Sequence, residues 1–196
     1  MTTMLTWQAD DGHGFEGTRL HLGAGKAFRA LGRLVRADPA GEFTASYRLV
    51  VGDDGTMERV SITAATASGE RHLTLNRTDD GYWLLDTGSG GTRAQFGGAV
   101  DVDLAGSPMF NTLPIRRLGL HQEAAEHTIP MLFVSLPDLE VTLVQQRYRT
   151  VSTDEVAPVV EFASGDFSAE LRLDADGMVT AYPGLATRYV AAPATS

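Results

Sequence analysis

Along most of the chain apolar and polar side chains alternate, so the dominant period is two residues, the mark of strands with one face against a core. Phe43, Ala45, Tyr47, Leu49 and Val51 give the clearest run. Gly52-Asp53-Asp54-Gly55 follows it as a turn, because Asp and Gly tolerate the positive φ angles of tight hairpins. The next strand is predicted around Val60, Ile62 and Ala64; Leu73 and Leu75 then alternate up to Asp79-Asp80-Gly81, and Trp83 and Leu85 resume beyond that turn. The later half repeats the pattern, with Val141, Leu143 and Gln145, then Phe167, Ala169, Leu171 and Leu173 running into Asp174-Ala175-Asp176-Gly177 and on to Val179. Turn signals at intervals of about ten residues predict an all-β, mainly antiparallel sheet or barrel rather than alternating strands and helices.

Two stretches are less regular. Ala27 to Val35 fits a helix on Phe28, Leu31 and Val35 and a strand on Phe28, Ala30, Gly32 and Leu34; the strand is favoured because Gly32 would weaken a helix interior. Ser107 to Thr112 is expected to form a short helical turn, with Ser107 as its cap and Pro108 at its first position. No segment has linker composition and no motif is duplicated, so residues 1–196 are read as one domain, with Val190 to Ser196 expected to fray.

Composition narrows the chemistry. With 196 residues, 43% hydrophobic and 21% charged, the chain can bury a sizeable core. It has no cysteine, which excludes a disulfide scaffold, a thiol nucleophile and an iron–sulfur site, and leaves zinc only His and carboxylate ligands. Sixteen basic against twenty-five acidic residues give a net charge of −9, which opposes binding to nucleic acid or to an anionic bilayer, so no nucleic-acid partner is expected. Met1 to Asp11 has neither a basic start nor an apolar run, and no later segment approaches the roughly eighteen apolar residues of a membrane span. The expectation is a soluble, cytoplasmic protein without an integral membrane segment.

The most unusual stretch is Asp101 to Leu118. If Asp101 to Leu104 is extended, Asp101 and Asp103 share one face, and burying them would require partners. Arg116 and Arg117 are close by and can hold carboxylates; on a strand they would point to opposite faces. Two readings stand: a polar constellation that grips a sugar or phosphate head group, or a buried ion-pair network. Gln146-Arg147-Tyr148-Arg149 ends an apolar strand with hydrogen-bonding side chains, readable as a solvated face, and Tyr182-Pro183-Gly184-Leu185 reads as a turn leading to Arg188. Nucleophile and cofactor signatures fail. There is no Gly-x-Ser-x-Gly, and Gly23-Ala24-Gly25-Lys26 is too short for a phosphate loop. His121 and His127, with Glu123 and Glu126 between them, do not form a metal-binding pattern. No catalytic residue, metal or cofactor is assigned.

Asp101 to Leu118 resembles the signature of a bacterial family described as putative glycolipid-binding proteins: Asp-Val-Asp-Leu, then Ser-Pro, then Asn-Thr-Leu-Pro-Ile-Arg-Arg-Leu. The resemblance extends over nearly the whole chain, through Trp7 with Glu16, Phe43 to Leu49, Gly81 with Trp83, Pro137-Asp138-Leu139, Gln146-Arg147-Tyr148, and the closing residues Asp174, Gly177, Val179, Tyr182-Pro183, Leu185 and Arg188. It implies a spiral β-roll or half-barrel, a highly curved antiparallel sheet around an apolar trough, with one or two short helices. It also implies non-catalytic binding of a lipid or glycolipid. Asp101, Asp103, Asn111, Arg116 and Arg117 would lie near its head group, with Arg147, Tyr148 and Arg188 as further ligand contacts. The family's Gly-Cys before the Asp block is Ala99-Val100 here, so a role for that thiol does not apply. Two other classes are kept: a β-protein with a filled core and no ligand, whose edge strands pair into a homodimer, and a lipid or sugar-ester hydrolase using His121 or His127 with Asp103.

Overall fold

In the computed structural model, which describes residues 1–39, 41–88 and 90–190, alternation and turns resolve into one 15-stranded sheet. Of the C-terminal stretch expected to fray, residues 191–196 lie outside the described residues. The first half is a hairpin meander of β1 (Thr2–Ala9), β2 (Gly14–Leu22), β3 (Phe28–Asp38), β4 (Gly41–Val51), β5 (Met57–Thr66), β6 (Gly69–Arg77), β7 (Trp83–Asp86) and β8 (Gly91–Ala94). The chain then crosses to the other edge through β9 (Val102–Leu104) and α1 (Pro108–Leu118). It meanders back through β10 (Glu126–Val134), β11 (Val141–Ser152), β12 (Val159–Ser164), β13 (Phe167–Leu173), β14 (Val179–Tyr182) and β15 (Ala186–Arg188). The last strand pairs with the first, Trp7 opposite Arg188, so the two meanders form one sheet with β8 and β9 at its edges. Every pairing is antiparallel except β9 with β10. The sheet curves strongly without closing into a barrel, and of the stretch Ala27 to Val35 all but Ala27 is strand, as Gly32 argued.

Inward positions from both halves meet around α1. Its Met109, Phe110, Leu113 and Ile115 are fully buried, and the Phe110 ring packs edge-on against Tyr47 of β4 at 5.0 Å. The interior of the roll is therefore not an open trough along its length, because the protein's own helix occupies its middle. Burying each such side chain contributes roughly 1.5–3 kcal/mol.

The helix is longer than the turn expected over Ser107 to Thr112, and it carries Pro114 inside it. Ser107 has the extended backbone of a cap residue, but its hydroxyl makes no capping bond and turns to Glu16 instead. At the other end Gly119 takes φ 71°, with Gly119 N–H on the Arg116 carbonyl and Leu120 N–H on that of Ile115, a left-handed termination that glycine permits without strain. Arg116 and Arg117 in the last turn complement the negative end of the helix dipole.

Candidate functional site

On β2 the alternation that buries Gly14, Thr18 and Leu20 also carries Glu16 inward, where it is 3% exposed. Two hydroxyls donate to its Oε1, Tyr47 Oη at 2.5 Å and Ser107 Oγ at 2.8 Å, and Thr18 Oγ1, 3.3 Å from that oxygen, donates its proton to Tyr47 Oη at 2.6 Å. Tyr47 is two strands away and reaches Glu16 only by lying over β3. There its register partner is Gly32, where an added Cβ would stand 2.0 Å from the tyrosine ring. Burial pushes the Glu16 carboxyl up to about 7, against the pull of these hydroxyls and of the Met109 N–H at the start of α1. Its Oε2 has no hydrogen-bond partner among the described residues. Glu16 lines a cleft of about 230 Å³ together with Trp7, Leu34, Phe43, Pro108 and Leu136.

A second cleft, about 360 Å³, lies between α1 and the later strands. Its walls are mostly apolar and aromatic, from Leu104, Phe133, Val144, Phe162, Phe167, Tyr182 and Leu185. Its polar lining is ordered by one chain of hydrogen bonds. Asn111 Nδ2 donates to Tyr148 Oη at 3.0 Å, Tyr148 Oη to Gln146 Oε1 at 3.0 Å, and Gln146 Nε2 to Asp103 Oδ2 at 2.7 Å. Burial pushes Asp103 up to about 6, opposed by the Gln146 and Leu104 hydrogen bonds. Burial likewise drives the Tyr148 hydroxyl well above its ordinary range. The two clefts share Ala105, Gly106 and Leu185, so a narrow partition separates one buried acid from the other.

Of the residues singled out in the sequence, Asp103, Asn111 and Tyr148 come together in this chain. Asp101 does not join them. Arg117 binds it through Nε at 3.0 Å and Nη2 at 2.7 Å, both on Oδ2, which leaves Oδ1 without a partner among the described residues. That one-sided grip is outweighed by burial, which raises the Asp101 carboxyl. Arg116 and Arg117 are successive residues of a helix, not of a strand, so they diverge around its axis; Arg116 bonds the Asp176 carbonyl. Arg147 is ion-paired with Glu161, and Arg188 with Asp174 at 2.6 Å. His121 is buried beside Gly177 and lines a different, polar cleft with Arg116 and Asp176; His127 sits on β10 opposite Tyr148. Neither histidine is hydrogen-bonded to Asp103 among the described residues, which also hold no group of three or more His, Asp or Glu able to bind a metal. Glu16, Thr18, Tyr47 and Ser107 escaped the site reading. The available signal was an acid on the inward register of an alternating strand.

A family model described as "Putative glycolipid-binding" matches residues 4–188. No curated protein matches the sequence. Among solved structures the chain is similar to a DUF1089 family protein from Pseudomonas aeruginosa, at 30% identity and a TM-score of 0.72, over 89% of this chain and 92% of that one. It is also similar to a beta-barrel-like protein of the domain of unknown function DUF1849 from Brucella abortus, at 11% identity and a TM-score of 0.54, over 95% and 93% of the two chains, a likeness of fold alone.

Proposed function

The chain belongs to the family described as putative glycolipid-binding, and on that premise we propose that the protein binds a lipid or glycolipid in the paired clefts beside α1. The observation that carries this reading is the wider cleft. It joins aromatic and aliphatic walls to a short row of polar groups, within the roughly 300–1,000 Å³ range of small-molecule sites. An acyl chain lies along Phe133, Val144, Phe162 and Phe167. The hydroxyls of a head group meet Asp103, Gln146 and Asn111, whose mutual hydrogen bonds hold them in place before the ligand arrives. Because Asp103 has a raised pKa it is partly protonated in mildly acid solution, and can there donate to as well as accept from a ligand oxygen. Among the described residues that line the two clefts there is no histidine to act as a base on a hydroxyl, and binding and release are the proposed activity.

Extraction of the purified protein followed by mass spectrometry is expected to recover a lipid, and fluorescent fatty-acyl probes are expected to bind. Val144→Trp fills the cleft from a half-buried wall position, so it should weaken probe binding at least tenfold, about 1.4 kcal/mol, while leaving the fold intact by circular dichroism. Protein that carries no lipid and takes up no acyl probe would remove the proposal.

A further inference from the structure

The outer face of the first meander segregates charge. Arg19, Leu31 and Arg48 are direct cross-strand partners on β2, β3 and β4, with Met4 of β1 opposite Arg19. Arg33 stands one step along β3 from Leu31 and Arg29 one step the other way, in the cross-strand row that runs through Val50 to Arg59 of β5. All five arginines are exposed, and no position in these three rows, from β1 to β6, is Asp or Glu. Glu58, the bulged residue beside Arg59, borders the patch. Among the described residues none of the five makes an ion pair or side-chain hydrogen bond, whereas Arg117, Arg147, Arg149 and Arg188 elsewhere are all held by acids. Arg19, Arg33 and Arg48 surround an open trough of about 520 Å³ whose other walls include Ser46, Ser61 and Thr63.

From this face we infer a docking surface for an anionic phospholipid bilayer. In a molecule of net charge −9, five unpaired cations on one face create a large dipole that turns this face toward a negative surface. Guanidinium groups form paired hydrogen bonds with phosphate, and the trough among them admits a phosphodiester head group. Met4, 65% exposed, and Leu31, 41% exposed, stand among the arginines at the depth where apolar tips enter the head-group layer. It is this mixture that favours a bilayer over an acidic protein. The surface stands on its own observation and goes beyond the cleft: it names where a lipid ligand would be collected or delivered.

Flotation of the full chain with vesicles of equal parts phosphatidylcholine and phosphatidylglycerol, beside vesicles of phosphatidylcholine alone, tests it. Binding is expected to the mixed vesicles only, and to fall with added salt. Arg33→Ala/Arg48→Ala should weaken partition roughly 30-fold, at about fivefold per basic side chain on an anionic surface. Arg71→Ala/Arg93→Ala removes the same charge from arginines already paired with Asp138 and Asp80, and should change partition little. Equal losses in both double variants, no binding to mixed vesicles, or retention of an acidic protein or oligonucleotide in place of vesicles would overturn the inference. Acyl-probe binding measured on the same samples separates the proposals, since it should survive the arginine substitutions whatever the vesicles do.

Discussion

Glu16 shows how a single inward carboxyl shapes the molecule. Its ordinary value of 4.5 rises to about 7 on burial, and that of Asp103 from 3.8 to about 6, so between those limits the folded protein keeps protons that the unfolded chain has released. Stability must then fall as pH rises through this window, each acid withdrawing roughly 3 kcal/mol by its upper end. Urea unfolding near pH 5 and near pH 8 should show the loss, and Glu16→Gln should remove about two-thirds of it, since Asp103 has already lost much of its share by pH 5. An identical pH dependence in the variant would mean that Glu16 titrates normally. The inward direction of Glu16 could be read from the alternation on β2. Its partners could not, because the Tyr47 and Ser107 hydroxyls lie 31 and 91 residues away and meet it only once β4 is in register and α1 is docked. The same distance hid the split between Asp101 and Asp103, two residues apart yet held by separate partners, one by Arg117 at the end of α1 and the other by Gln146 of β11.

Among the elements, β3 and α1 decide the shape of the site. Gly32 is the gap in β3 through which Tyr47 reaches Thr18 and Glu16, the Thr18–Tyr47 bond being 2.6 Å. Gly32→Ala should displace that ring and destabilise the fold by about 1–3 kcal/mol, an overpacking effect readable as a lower urea midpoint; a neutral result would mean that Tyr47 is free to move. Phe110→Ala should cost about 3–5 kcal/mol, since the ring is wholly buried between α1 and the sheet. The strands were legible because a period of two is a local property. The full helix was not, because a proline such as Pro114 disfavours a helix interior, whereas burial of Leu113 and Ile115 carries it on to Leu118. Ser107 and Pro108 marked its start correctly, although the Ser107 side chain serves Glu16.

For the whole molecule, cooperativity should follow the ladder. β3, β4 and β5 are the longest strands of the first meander, whereas β7 and β8 are four-residue strands at its edge. Amide exchange is therefore expected to proceed first in β7 and β8 and last in β3 to β5; uniform protection would contradict an open edge there. Net charge was legible by counting, and it argued against anionic partners. Its layout was not, because strand register gathers Arg19, Arg29, Arg33, Arg48 and Arg59 from four strands onto one face. What the chain's residues determine alone is the all-β meander, its turns and its inward positions, since each depends on neighbours a few residues apart. Three things are settled only when Trp7 pairs with Arg188 and α1 enters the roll: which buried polar groups meet, how much of the interior stays open, and where the positive charge collects. All three depend on contacts between segments whose separation along the chain leaves no local trace.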